Sequence, residues 1–172
     1  MICLVVRTMT RMPASFSVKE LDDGFRGWDR LLNLLYVAFE QQEGRIDPPS
    51  SVYELDESGL GMKAREEHVF LAEQADLLIG CVFAKDTGSS VYLGKLAVLP
   101  DMQGYGVGRL LVERVEEFAR CCGRSVLELE TRIELVENHR IFEAYGFRKV
   151  SERAHDGYDH PTSISMEKRL DV

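Results

Sequence analysis

Apolar and polar positions from Phe16 to Leu21 keep the period of a half-buried strand, and Asp22 or Asp23 can cap the segment after it. Between Trp28 and Phe39 the spacing changes. Trp28, Leu31, Leu32, Leu35, Ala38 and Phe39 form one apolar stripe, which predicts an amphipathic helix. Gln41 to Pro49 is a polar loop closed by prolines. Ser50 to Glu67 reads as a second helix, interrupted near Gly59 and Gly61.

The apolar runs Val69–Ala72 and Leu77–Ala84 predict an antiparallel pair with a turn over Glu73–Asp76, and Ser90–Leu99 supplies the next strand. From Gly108 to Cys122, residues Leu111, Val115, Phe118 and Cys122 share a helical face, while Glu113, Glu116 and Glu117 lie elsewhere. Gly123 stops that helix in the position glycine favours. Val126–Glu130 predicts a strand, Glu137–Tyr145 a short helix stopped by Gly146, and Phe147–Ala154 and Ser163–Arg169 two last strands. Strands mixed with helices in this order predict one α+β domain around a mostly antiparallel sheet of six to seven strands, with about four helices. Residues 1–14 read as an N-terminal extension, either disordered or preceding a true start at Met9 or Met12.

At 172 residues the chain can bury one core without staples. Its net charge of −8 argues against nucleic-acid binding, which needs a cationic face, and weakly favours a cationic small-molecule partner. Cys3, Cys81, Cys121 and Cys122 have neither metal-ligand nor disulfide-framework spacing, so reduced thiols in a cytoplasmic protein are expected. His155 and His160 lack a defined carboxylate partner, and no metal is expected. The apolar stretch at the N-terminus is too short for a signal peptide or a membrane span. Dimerisation through the late strands is compatible with this pattern.

The chemistry concentrates in Leu96-Ala-Val-Leu-Pro-Asp-Met-Gln-Gly-Tyr-Gly-Val-Gly-Arg109, where an apolar strand ends at a proline and a glycine-alternating turn opens a helix. Gly104, Gly106 and Gly108 let backbone amides converge on an anion at the positive end of that helix. No Gly-Lys-Ser/Thr follows, so this is not a mononucleotide P-loop. Nor is the spacing that of the dinucleotide fingerprint, although Glu128 and Glu130 lie about 20 residues downstream; the remaining sequence is too short for a doubly wound domain. A turn that binds nothing remains an alternative for the glycines alone.

Gln103-Gly-Tyr-Gly-Val-Gly108 fits Gln/Arg-x-x-Gly-x-Gly/Ala and resembles the acyl-CoA pyrophosphate loop of the GNAT superfamily of N-acetyltransferases. The preceding strand, the following helix and a later Asn138…Gly146-Phe147 element stand in that family's order, and the likeness covers roughly Val69 to Arg169. It implies acetyl-CoA as co-substrate, an amine acceptor, and two strands, ending at Leu99 and starting near Val126, that splay to admit the pantetheine arm. The loop Gln103, Gly104, Tyr105, Gly106, Val107, Gly108 and Arg109 would then hold the pyrophosphate. Backbone amides near Leu96, Ala97 and Val98 would hold the pantetheine arm and the acyl oxygen, and Asn138, otherwise a helix cap, would contact the same arm.

An attacking amine that resembles lysine is protonated at neutral pH, so a base is expected. Glu130 is the first candidate, against a plain reading as a solvated carboxylate; Tyr92, His155, Asp159 and His160 are others. The position at which the family often carries a proton-donating tyrosine is Phe142, which has no proton to give. Tyr145, three residues on, offers a hydroxyl from a neighbouring part of the helical face, or is a core aromatic. No cysteine position suggests an acyl-enzyme. The alternative to an N-acetyltransferase is a non-catalytic acyl-CoA-binding regulatory module, which Phe142 keeps open. Acceptor contact is expected from the Gln41–Pro49 and His155–Thr162 loops.

Overall fold

The alternating segment at the start forms β1 (Ser17–Glu20) and the first apolar stripe forms α1 (Trp28–Glu40) in a computed structural model that describes residues 15–171. The expected extension over residues 1–14, with Cys3, lies outside the described residues. After a short 3-10 turn at Ser51–Glu54 come α2 (Glu57–Glu66), β2 (His68–Gln74), β3 (Leu77–Asp86) and β4 (Val91–Val98). A second 3-10 turn, Pro100–Met102, leads into α3 (Val107–Cys121), followed by β5 (Val126–Arg132), α4 (Val136–Ala144), β6 (Arg148–Arg153) and β7 (Ser163–Arg169). Among the described residues, seven strands and four α-helices give the expected mixed α+β architecture.

The strands form one sheet in the order β1-β2-β3-β4-β5-β7-β6, and every neighbouring pair is antiparallel except β4 with β5. Alternate residues of each strand feed two cores, one per face. Leu93 and Leu96 of β4 join Leu129 of β5, Leu111 and Val115 of α3, and Phe142 of α4 on one side. Ala97 of β4 joins Cys81 and Phe83 of β3, Leu31, Leu35 and Phe39 of α1, and Leu60 of α2 on the other. Where α3 crosses β3 the approach is close. A Cβ on Gly80 would stand 2.9 Å from the Ala97 carbonyl oxygen and 3.2 Å from Val107, so only glycine lets the start of α3 sit on the sheet. No helix of the described residues is long and apolar enough to cross a membrane.

The second helix departs from the sequence reading. The break falls at Leu55-Asp56, where the Asp56 side chain accepts from the Gly59 amide at 2.7 Å and caps α2, while Gly59 and Gly61 lie inside it. The cap decides where the helix starts, and the two glycines are tolerated in an element packed mainly through Leu60. The β2–β3 turn is also tighter than expected: Ala75 and Asp76 suffice, with Ala75 at φ 52°.

Candidate active site

The glycine-alternating turn lies between the end of β4 and α3. Gln103 is buried and its side-chain amide donates to the Val98 carbonyl at 3.2 Å, which ties the turn to the strand. Gly104 (φ 81°) and Gly106 (φ 87°) adopt the left-handed region that side chains with a Cβ rarely enter. A Cβ on Gly106 would meet nothing within 4 Å, so the space beside the turn is open to a ligand. Gly106 caps α3 without any side-chain bond, and the helical ladder starts with the Leu110 amide donating to the Gly106 carbonyl at 3.0 Å. The amides of Val107, Gly108 and Arg109 precede that ladder and, with the helix dipole, face the turn with partial positive charge. Arg109 adds a full charge, shared with Glu113 at 3.0 Å.

One strand earlier, β4 is irregular. Cys81 pairs with Ala97 but Phe83 pairs with Gly94, so Val82 opposes two residues, Lys95 and Leu96. Lys95 sits at φ 46°, the signature of a bulge that redirects both backbone and side chain. On the other edge, β4 pairs with β5 only where Val91, Tyr92 and Leu93 face Leu127, Glu128 and Leu129. Beyond Leu93 and Leu129 the two strands diverge, and the β4 edge from Gly94 to Val98 has no partner in β5. The bulge and the divergence together leave backbone polar groups turned towards a gap in the middle of the sheet.

On the α1–α2 side of that gap lies a cavity of about 430 Å³. Tyr92 and Lys95 of β4, Glu130 and Arg132 of β5, and Glu54 and Glu67 from the segment around α2 contribute to its wall. Glu67 is paired with Lys63 at 2.5 Å. The Glu130 carboxylate lies 3.6 Å from Arg153 and accepts from the Ser165 hydroxyl at 3.5 Å. Burial, reinforced by the charges of Glu130 and Glu67, pushes the Tyr92 hydroxyl up to about 12. Burial also lowers the Lys95 ammonium, with Lys63 adding repulsion. Arg132 is only 3% exposed; it donates to the His155 ring and to the Pro48 carbonyl, while its Nε has no partner among the described residues. The Gln41–Pro49 loop is fastened over this end of β5. Tyr158 donates to Asp47 Oδ1 at 2.5 Å, the Asp47 amide donates to Glu134 at 3.1 Å, and Arg45 pairs with Glu137.

Residues 28–147 match the model of the acetyltransferase (GNAT) family. The chain belongs to this family. An IAA acetyltransferase of Azospirillum brasilense is 33% identical to this GNAT protein over 130 residues, 74% of this chain and 82% of that one. Two solved structures share its fold. The PaiA N-acetyltransferase from Thermoplasma acidophilum, in complex with coenzyme A, superposes with a TM-score of 0.75 at 15% identity, covering 91% of this chain and 99% of the other. A GNAT family acetyltransferase from Elizabethkingia anophelis with acetyl-CoA bound has a TM-score of 0.69 at 19% identity, covering 92% and 100%.

Within this GNAT fold, Leu96, Ala97, Val98 and the Gln103–Arg109 turn lie together along the bulge and the head of α3. Asn138 is buried in the first turn of α4, two residues past the start, so it does not occupy the cap position considered for it. Phe142 is fully buried against Phe147 (centroids 5.8 Å apart). Tyr145 is partly buried on the α3 side, near the charges of Arg109 and Glu113, and burial raises its hydroxyl above the ordinary value. Glu130 and Tyr145 are therefore not brought together: the first lines the cavity on one face, the second packs on the other. Asp159 and His160 pair with each other at 2.9 Å on the surface. Sequence reasoning missed Lys95 and Arg132. A lysine inside the apolar run Val91–Leu99 was the available signal for the first.

Proposed function

We propose that this GNAT acetyltransferase transfers the acetyl group of acetyl-CoA to a primary amine of a small molecule or peptide by direct attack in a ternary complex. The observation that carries this reading is the continuity of three features: a positive-φ glycine turn heading α3, a bulged β4 and the β4–β5 divergence. Amides at the turn suit a pyrophosphate, and the β4 edge beyond Leu93, which has no partner in β5, suits an extended arm that needs backbone partners. The residues present thus fit acetyl-CoA, and the coenzymes bound to the two structural relatives support the same choice. Acetyl-CoA would bring the activated thioester; the Gln103–Arg109 turn would hold its pyrophosphate, and the edge at Leu96–Val98 with Asn138 its pantetheine arm.

The remaining work falls to side chains at the gap. Glu130, in the cavity, accepts a proton from the incoming ammonium, so that the amine attacks as the free base. Backbone amides at the bulge hold the acyl oxygen as charge develops on it. Tyr145 keeps its proton because of burial and is the hydroxyl available to the departing thiolate. Cys81 lies beside the bulge, its thiol 3.8 Å from the Lys95 carbonyl, yet burial pushes it up to about 12. A thiolate is therefore scarce there, which supports direct attack over an acyl-enzyme. The described cysteines are free, which fits a cytoplasmic setting.

The test is amine-dependent release of free CoA thiol from acetyl-CoA across a panel of amines. Turnover above background hydrolysis is expected, falling about 10²- to 10⁴-fold in Glu130→Gln, the usual worth of a general base. Tyr145→Phe should slow the step at alkaline pH as well as neutral. No release with any amine would favour a binding module, and undiminished rates in either variant would remove that residue's role.

A further inference from the structure

The cavity beside the bulge is charged at two poles, and its cations are not used up by its carboxylates. Glu54, Glu67 and Glu130 supply the negative side, and Lys63 is already paired with Glu67. Lys95 and Arg132 line the same space, and neither has a carboxylate within ion-pair distance among the described residues. Arg132 is the more telling. It is nine-tenths and more buried, two of its nitrogens are spent on His155 and Pro48, and its Nε is left without an acceptor among the described residues. Unsatisfied buried donors of this kind cost free energy unless a ligand completes them. Lys95 reaches the cavity from a strained left-handed backbone at the bulge.

We propose that the acceptor is a small zwitterion, an amine that also carries a carboxylate, with the carboxylate held by Lys95 and Arg132 and the ammonium drawn towards Glu130. This inference rests on the reading of the cavity as the acceptor site. A diamine or polyamine would place a second positive charge among Lys63, Lys95 and Arg132, whereas a free amino acid matches both poles. A phosphorylated amine would bring a second negative charge against three glutamates, so a carboxylate is the better fit. The Gln41–Pro49 loop, fastened to β5 through Arg132 itself, leaves room for a small molecule under it.

The experiment compares kcat/KM for free amino acids, for the same amino acids as carboxamides, and for simple diamines, alongside direct titration of CoA. Each acid should exceed its amide by about ten- to a hundredfold, the range for a hydrogen bond to a charged group. That ratio should collapse, mainly through KM for the acid, in Lys95→Asn, whose asparagine tolerates a positive φ, and in Arg132→Gln. Circular dichroism and CoA affinity report whether each variant remains folded. Amides or diamines acetylated as well as the acids would overturn the substrate class while leaving the acetyltransferase reading intact. CoA binding with no acid turned over would overturn it too. Absence of CoA binding in the wild-type chain would instead remove the reading on which the inference rests.

Discussion

Gln103, Cys81 and Phe142 act through burial, each to a different end. Gln103 donates its side-chain amide to the Val98 carbonyl, which fixes where the glycine turn leaves the strand. Cys81 packs against the bulge with its thiol pushed up to about 12, whereas Cys121 is exposed on α3. Iodoacetamide should therefore label Cys121 in the native protein and Cys81 only after unfolding, as read by peptide mass spectrometry. Rapid native labelling of Cys81 would mean that the bulge opens. Phe142, the position at which the resemblance implies a tyrosine, is a fully buried ring between Tyr145 and Phe147. Phe142→Ala should lower stability by about 3–5 kcal/mol in a denaturant titration, the range for emptying a core aromatic site. A loss below about 1 kcal/mol would show that the site collapses around the gap.

Among the elements, the strongly periodic ones were legible in the sequence. The stripes of α1 and α3 give their lengths to within a residue, and Gly123 and Gly146 stop helices at φ 70° and 94° as expected. The elements that escaped the sequence were decided by tertiary contacts. The start of α2 depends on one aspartate bonding to an amide three residues on, and glycines inside the helix misled the reading. β5 runs two residues past Glu130 because β7 pairs with it as far as Ser163, and that extension is what carries Arg132 into the cavity. Lys95 is in the left-handed region because a strand register shifts, which no local pattern announces. The two loops singled out for acceptor contact do meet, through Tyr158–Asp47 and through Arg132, which joins His155 to Pro48. His155 accepts from Arg132 as a neutral ring, and burial followed by the Arg132 charge lowers its pKa from the usual 6.5. The folded state thus resists its protonation. Its contribution is present above pH 6.5 and is lost as pH falls below that value. Melting curves at about one pH unit above and one below 6.5 should differ less for His155→Gln than for the wild-type chain. Equal shifts in the two would place the acid sensitivity elsewhere.

At the scale of the molecule, a protein of net charge −8 has to hold a polyanionic co-substrate. Long-range attraction works against it, so in the proposed reading binding depends on the local arrangement: oriented amides, a helix end and one arginine. The sheet divides the labour. The glycine turn and α3 lie on one face, the bipolar cavity on the other, and the β4–β5 divergence connects them. The proposed role of the Gln103–Arg109 turn as a CoA pyrophosphate site is tested by calorimetric titration of CoA. The wild-type chain should bind, and the folded Gln103→Ala/Gly106→Trp variant should bind about tenfold or more weaker, a difference of at least about 1.4 kcal/mol. No binding to the wild-type chain, or the same dissociation constant in the variant, would contradict the account.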